Sequence, residues 1–338
     1  MPAPRSRIGA ALALIAAASL VLTGCADTPS APATADDPAP AAEGFPLTVT
    51  HDRGDTVIPA KPERVVSLSV SGNAYAQAAD APLVGFWPSA YGEDGRDEWL
   101  APFAKDTAKI DFSADFELDY EQIAALKPDL ILATDTQTRI KLDDAYDTLS
   151  AIAPTLVAVP GDLDDQAKTI GAALGNEAGV QQLLDDADAA VAATQQSHPG
   201  IAGTSLAYGQ ISTGEIGIQV DPKLASSVRF FQELGFVMPE AIVADYDQAT
   251  ARTPGTARYS WENAEALNAA ELVIIGLNGV EETEVTENPL FTETKPFTQG
   301  AFKIIPISVL YGLQMSGPYN TQWLLERLDD ALATTQAR

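Results

Sequence analysis

The residues able to do covalent or metal chemistry are few. Cys25 is the only cysteine in 338 residues, and His51 and His198 are the only histidines. One thiol excludes an intramolecular disulfide, a CxxC redox pair and any thiolate metal cluster. Two histidines leave little basis for a His-rich zinc or iron site. A Ser-His-Asp arrangement would have to use His51 or His198, and both fall at predicted element boundaries in polar surroundings, where a solvated histidine is the simpler reading. No glycine-rich phosphate cradle follows a strand, and the GxSxG, HExxH and SxxK…KTG signatures are absent. The acidic runs Asp162–Asp165 and Asp185–Asp188 lack the alternating ligands and glycine of a calcium loop, and read as solvated helix faces. The chain therefore reads as a binder and not an enzyme.

The position of Cys25 supplies its chemistry. Arg5 and Arg7 form a positive start, Ile8 to Leu22 is apolar, and Leu22-Thr23-Gly24 places small residues just before the thiol. The apolar run is shorter than the ~20 residues that span a bilayer, so residues 1–24 read as a secretory signal peptide ending in a lipobox. Cleavage there makes Cys25 the new N-terminus and the site of lipid attachment. A diacylglycerol thioether, at about 0.8 kcal/mol per buried methylene, anchors permanently to the outer face of a bacterial cytoplasmic membrane. Residues 25–44, rich in Ala, Pro and Asp, carry no large apolar side chain and read as a disordered tether. The whole chain has 47 acidic against 20 basic residues, a net charge of −27. Loss of the two arginines with the signal peptide leaves −29. So negative a protein is repelled by polyphosphate, which excludes nucleic acid as a partner.

The elements that must position any site follow from periodicity. Short apolar runs at 64–68, 83–86, 129–133 and 155–159 read as buried strands, with helices at 73–80, 120–126, 142–152 and 166–173 between them. A second set repeats the alternation, with strands at 205–210, 272–275 and 303–307 and helices at 224–234, 261–267 and 319–334. Glu177 to Gln196, free of internal Gly and Pro, predicts a helix about 30 Å long between the sets. The two sets echo one another. Asp119-Tyr120-Glu121-Gln122 opens a helix that leads into Leu130-Ile131-Leu132, and Ser260-Trp261-Glu262-Asn263 opens one that leads into Leu272-Val273-Ile274. Asp119 with Gln122 has capping-box spacing. The fold class is α/β, with a first lobe at 45–176, a bridging helix at 177–198 and a second lobe at 199–338.

Specific residues carry a family resemblance. Phe45-Pro46-Leu47-Thr48-Val49-Thr50-His51-Asp52, the segment Ile58 to Leu68, Tyr120 to Ile131, Leu149 to Thr155, Phe230 to Phe236, Ser260-Trp261-Glu262 and Gly317-Pro318-Tyr319 together resemble the iron–siderophore substrate-binding lipoproteins of ABC importers. These are the class III periplasmic binding proteins. The resemblance implies two Rossmann-like lobes with parallel sheets, joined by one long helix, with the ligand in the cleft between them. It implies a monomer that takes up a ferric siderophore, touches the membrane only through its lipid, and delivers its cargo to a permease dimer. Glu121 and Glu262 fall on the positions that dock onto permease arginines in this family.

A ferric siderophore fills the metal's coordination shell itself, so no cofactor and no protein metal ligand is needed. The receptor needs aromatic walls and a few polar groups at the carboxyl ends of strands. That nominates Ser71, Asn73, Trp87, Tyr91, Trp99, Gln137 and Arg139 in the first lobe, and Tyr208, Gln210, Arg258, Tyr259 and Tyr311 in the second. Hydroxamate-binding relatives can carry an arginine where this chain reads Ser113-Ala114-Asp115-Phe116, a role open to Arg139 or Arg258. Scattered arginines in a strongly negative field favour a neutral or cationic ferric hydroxamate over a triply anionic catecholate. Haem in the same fold and an anchored extracellular hydrolase are the alternatives.

Overall fold

The computed structural model describes residues 44–113, 117–134, 142–248 and 253–337. The chain opens with an antiparallel hairpin, β1 (Leu47–His51) and β2 (Gly54–Ile58). The first lobe then lays down β3 (Val65–Ser67), α1 (Val70–Ala78), β4 (Leu83–Phe86), β5 (Ala108–Lys109), α2 (Tyr120–Ala125), β6 (Leu130–Leu132), α3 (Leu142–Ile152), β7 (Thr155–Leu156) and α4 (Leu163–Ala173). Its five strands are parallel, in the order β5-β4-β3-β6-β7. Successive residues of each strand face opposite layers. Val65, Leu130, Leu132 and Leu156 pack with buried residues of α1, α4 and α5 (Glu177–Ser197), while Val66 and Ile131 pack with those of α2 and α3.

The second lobe follows α5 with β8 (Leu206–Ser212), β9 (Glu215–Gln219), α6 (Ser226–Leu234), α7 (Glu240–Gln248), β10 (Thr256–Ser260), β11 (Leu272–Asn278), α8 (Glu282–Thr286), α9 (Pro289–Thr292), α10 (Lys295–Thr298), β12 (Phe302–Ile305), α11 (Ile307–Gln314) and α12 (Thr321–Ala333). The order is β10-β9-β8-β11-β12. β8, β11 and β12 are parallel, and β9 and β10 extend the sheet antiparallel. The α/β class with two sheets holds, and the antiparallel pair is an addition that periodicity did not reveal. Gly209 is required where β8 meets β9, because a Cβ there would lie 1.8 Å from the Gly217 carbonyl oxygen. The predicted helix at 261–267 is a 3₁₀ stretch, Trp261–Ala269, kinked at Asn263, which leaves helical geometry at φ −102°.

Side-chain caps explain where the helices begin. Ser69, Asp119, Asp162 and Asn176 accept from backbone amides three residues on, opening α1, α2, α4 and α5. The expected capping box at α2 is only half made. Asp119 accepts from Gln122 N at 2.9 Å, but the Gln122 amide turns to Lys109 O and Asp111 N, tying α2 to the end of β5. The two histidines are buried and structural, not solvated. His51 bonds Thr56 at 2.8 Å, and burial lowers its pKa. His198, at the end of α5, bonds Asp329 of α12 at 3.0 Å.

Candidate functional site

The first lobe presents the carboxyl ends of β3, β6 and β7 to the second lobe, and a cavity of about 210 Å³ lies between them. Ser71 at the start of α1, Thr134 after β6, Ala158 after β7 and Gln166 on α4 form one wall. Ser226 and Arg229 on α6 and the segment Met315–Tyr319 after α11 form the other. Arg229 is the one cationic side chain among the described residues of this wall, and its guanidinium donates to Pro222 O at 2.8 Å. The Ser71 and Ser69 hydroxyls lie 3.5 and 3.4 Å from the Thr134 hydroxyl, so the floor is a cluster of small alcohols. Tyr319 meets Tyr75 edge-on at 5.7 Å and donates to Met315 O at 2.7 Å, fixing the segment that follows α11. Such a wall of hydroxyls, an amide, aromatic edges and one guanidinium suits an oxygen-rich ligand.

A loop from the first lobe closes the seam beside this cavity. Residues 87–101 are pinned at both ends by side chains one turn apart on α1. Asn73 Nδ2 donates to Trp87 O at 2.8 Å, and the Gln77 amide exchanges two hydrogen bonds with Ala101, at 2.7 and 3.1 Å. The loop reaches the second lobe through aromatics: Tyr91 lies 4.8 Å from Tyr311, and Trp99 lies 6.1 Å from Tyr311 and 5.2 Å from Trp323. Glu98 pairs with Arg327 of α12 at 3.3 Å. Asp97 in the same loop is 1% exposed, with the Ser89 hydroxyl as the side-chain donor near its carboxylate. Burial pushes its pKa up to about 6, against the pull of nearby Ser89 and Arg96.

The nominated residues divide by position. Ser71 lines the cavity, and Tyr91, Trp99 and Tyr311 form the aromatic seam beside it. Asn73 and Trp87 lie in the interior instead of on the cleft wall. Asn73 is spent on the loop, and Trp87 stacks on Phe112 at 4.5 Å. Tyr208 shares strand parity with Leu206, so it points into the core under α6 and α11, where its hydroxyl donates to Leu310 O and burial drives its pKa upward. Gln210 sits mid-sheet between Gly217 and Gly276. Arg258 pairs with Glu215 across the antiparallel edge, and Tyr259 donates to Asp245 of α7 at 3.0 Å. Cys25, Gln137 and Arg139 lie outside the described residues. Glu121 and Glu262 are both exposed in the first turns of their segments. The Glu262 carboxyl is held below the usual range by its own backbone amide and by the Ser260 hydroxyl. Arg229, Gln166, Thr134 and Ser316 were missed, although Arg229 lies one turn from Ser226 and Glu233 on a helix visible in the sequence.

Comparison with known proteins gives a consistent answer. Residues 65–299 match the family model described as "Periplasmic binding protein". The ferric-anguibactin-binding protein FatB of Vibrio anguillarum is 27% identical over 152 residues, 45% of this chain and 42% of that protein. The ferric enterobactin-binding periplasmic protein FepB of Escherichia coli O6:H1 is 28% identical over 165 residues, 46% and 50% of the two chains. The chain spans about half the length of the curated relatives it matches. Among solved structures, PiaA of Streptococcus pneumoniae TIGR4 in complex with ferrichrome aligns with a TM-score of 0.64 at 24% identity, covering 86% of this chain and 98% of that one. That likeness is one of fold. Two α/β lobes, one connecting helix and a polar cleft at their seam accompany a family match over most of the folded body, and the chain belongs to the periplasmic binding protein family.

Proposed function

We propose that this protein is the extracytoplasmic receptor of an ABC importer for ferric siderophores, tethered to the membrane by lipid on Cys25. The observation that carries the reading is the cleft itself, whose described wall offers hydroxyls, the Gln166 amide, tyrosine edges and a single guanidinium. The carbonyl and N–O oxygens that bind the iron of a ferric hydroxamate keep lone pairs that accept hydrogen bonds, and these donors match them. One arginine is poor compensation for three negative charges, so a ferric hydroxamate fits this wall better than a ferric catecholate. The names of FatB and FepB, which describe binders of iron chelates, support the class. Glu121 and Glu262, exposed on rigid segments of different lobes, are the contacts offered to a basic pair on the permease dimer.

The test is a tryptophan-fluorescence titration with a ferric hydroxamate, a ferric catecholate, haem and cobalamin. Saturable quenching by the hydroxamate, with the chelate recovered intact, is the expected result. Haem as the only binder would replace the ligand class, and turnover of the chelate would replace a receptor with a hydrolase. A flat response to all four would remove the reading.

A further inference from the structure

Behind the cavity that faces the lobes' seam lies a second one of about 220 Å³, against the connecting helix α5. The two share Leu163, Ser226, Arg229, Ser316 and Gly317 in their walls, so they are front and rear chambers of one space. Each alone falls below the ~300 Å³ at which small-molecule sites begin, and only joined do they reach that range. Their charge differs sharply. The described wall of the front chamber holds no carboxylate, whereas the rear chamber adds three, one from each of three elements: Asp164 on α4, Asp188 on α5 and Glu233 on α6. Arg229 is the only described cation facing them. Glu233 is held above the ordinary carboxylate range by burial, with Arg229 opposing and the charges of Asp164 and Asp188 adding to the rise. A second, independent feature marks the passage between the chambers. Ser316 is 7% exposed, lines both, and its hydroxyl has no hydrogen-bond partner. A buried hydroxyl in that state costs free energy until a ligand satisfies it.

Resting on the receptor reading above, we infer that the rear chamber is a cation subsite, and that the preferred ligand is a ferric hydroxamate bearing a free amine. The chelate's oxygen face meets Arg229 and the alcohols of the front chamber. The ammonium arm passes Ser316, whose oxygen accepts from it, and ends among Asp164, Asp188 and Glu233. A polar arm without charge would gain the hydroxyl contact and lose the three carboxylates.

The test compares ferrioxamine B, a linear ferric tris-hydroxamate with a terminal amine, against its N-acetylated form, on the full chain in detergent. The amine form binds about five- to tenfold tighter at low salt, and the ratio narrows as salt is raised. In the double variant Asp188→Asn/Glu233→Gln the ratio falls towards one, with thermal unfolding reporting that the variant is folded. Equal binding of both chelates by the unchanged protein, or a preference that survives the double variant, overturns the subsite and leaves the receptor reading standing. Binding confined to chelates without an amine also overturns it. Failure of every ferric chelate to bind removes both readings together.

Discussion

Arg229 stands where both chambers meet, and among the described residues its guanidinium hydrogen-bonds only to Pro222 O, through one of its five N–H donors. Arg229→Gln keeps length and polarity but removes the charge. The expected cost in affinity for a ferric hydroxamate is roughly ten- to a hundredfold, the scale of a charge-assisted hydrogen bond worth about 1.5–3 kcal/mol, read by fluorescence titration. Asp97 makes a different prediction. Its folded-state pKa of about 6 stands above the unfolded value of 3.8, so between those pH values the folded state keeps a proton that the unfolded state releases. Stability therefore falls as pH rises from about 4 to about 6, by roughly 3 kcal/mol, and is level above that window. Asp97→Asn flattens this profile and raises stability at pH 7, which denaturant midpoints across pH 4–8 measure. An unchanged profile would show that another group sets it.

At the scale of elements, the loop 87–101 is tied to α1 at both of its ends. Removing Gln77 with alanine takes away both hydrogen bonds to Ala101. Hydrogen exchange in residues 99–103 should speed up well beyond that of β3 and β6, with a stability loss of about 1–2 kcal/mol. Undisturbed exchange would mean that the aromatic seam alone suffices. Legibility also divides at this scale. The parallel strands other than β5 were visible: Val65-Val66 and Leu130-Ile131-Leu132, for example, are buried on both faces and read as unbroken apolar runs, whereas β5 is only Ala108-Lys109. β9 (EIGIQ) and β10 (TARYS) were not, because one is interrupted by glycine and the other is a polar edge strand whose partners lie about forty residues away. The helical reading of 261–267 missed the local departure at Asn263. In the cleft, Ser71 was legible as a residue just beyond a strand. Asn73, two positions on, was read as ligand-facing, and only the fold shows its amide turned to the Trp87 carbonyl. Tyr208 was misplaced because its neighbours in space, Leu310 and Phe231, are set by packing between helices that local periodicity does not encode.

At the scale of the molecule, the proposed function makes capture and delivery separable. Glu121 and Glu262 lie on different lobes and outside the described walls of both chambers. Reversing both with Glu121→Lys and Glu262→Lys is expected to abolish uptake of iron chelate by cells while titrations of the isolated protein stay within about twofold of the original. Loss of binding in vitro would instead place those carboxylates in the ligand site. Cys25→Ser should shift the protein from the membrane fraction to the medium.

The described chain passes between the two sheets through α5, so each lobe is an uninterrupted stretch of sequence. Every strand of the first sheet precedes α5, including β3 and β6, which pair in register as Val65 with Leu130 and Ser67 with Leu132. A polypeptide that emerges from its amino end can thus complete one half before the other has followed. The pause before the aromatic seam forms is then set by the rate of emergence, and slowing emergence should lengthen it while the first sheet exposes only the β5 and β7 edges it keeps in the finished fold.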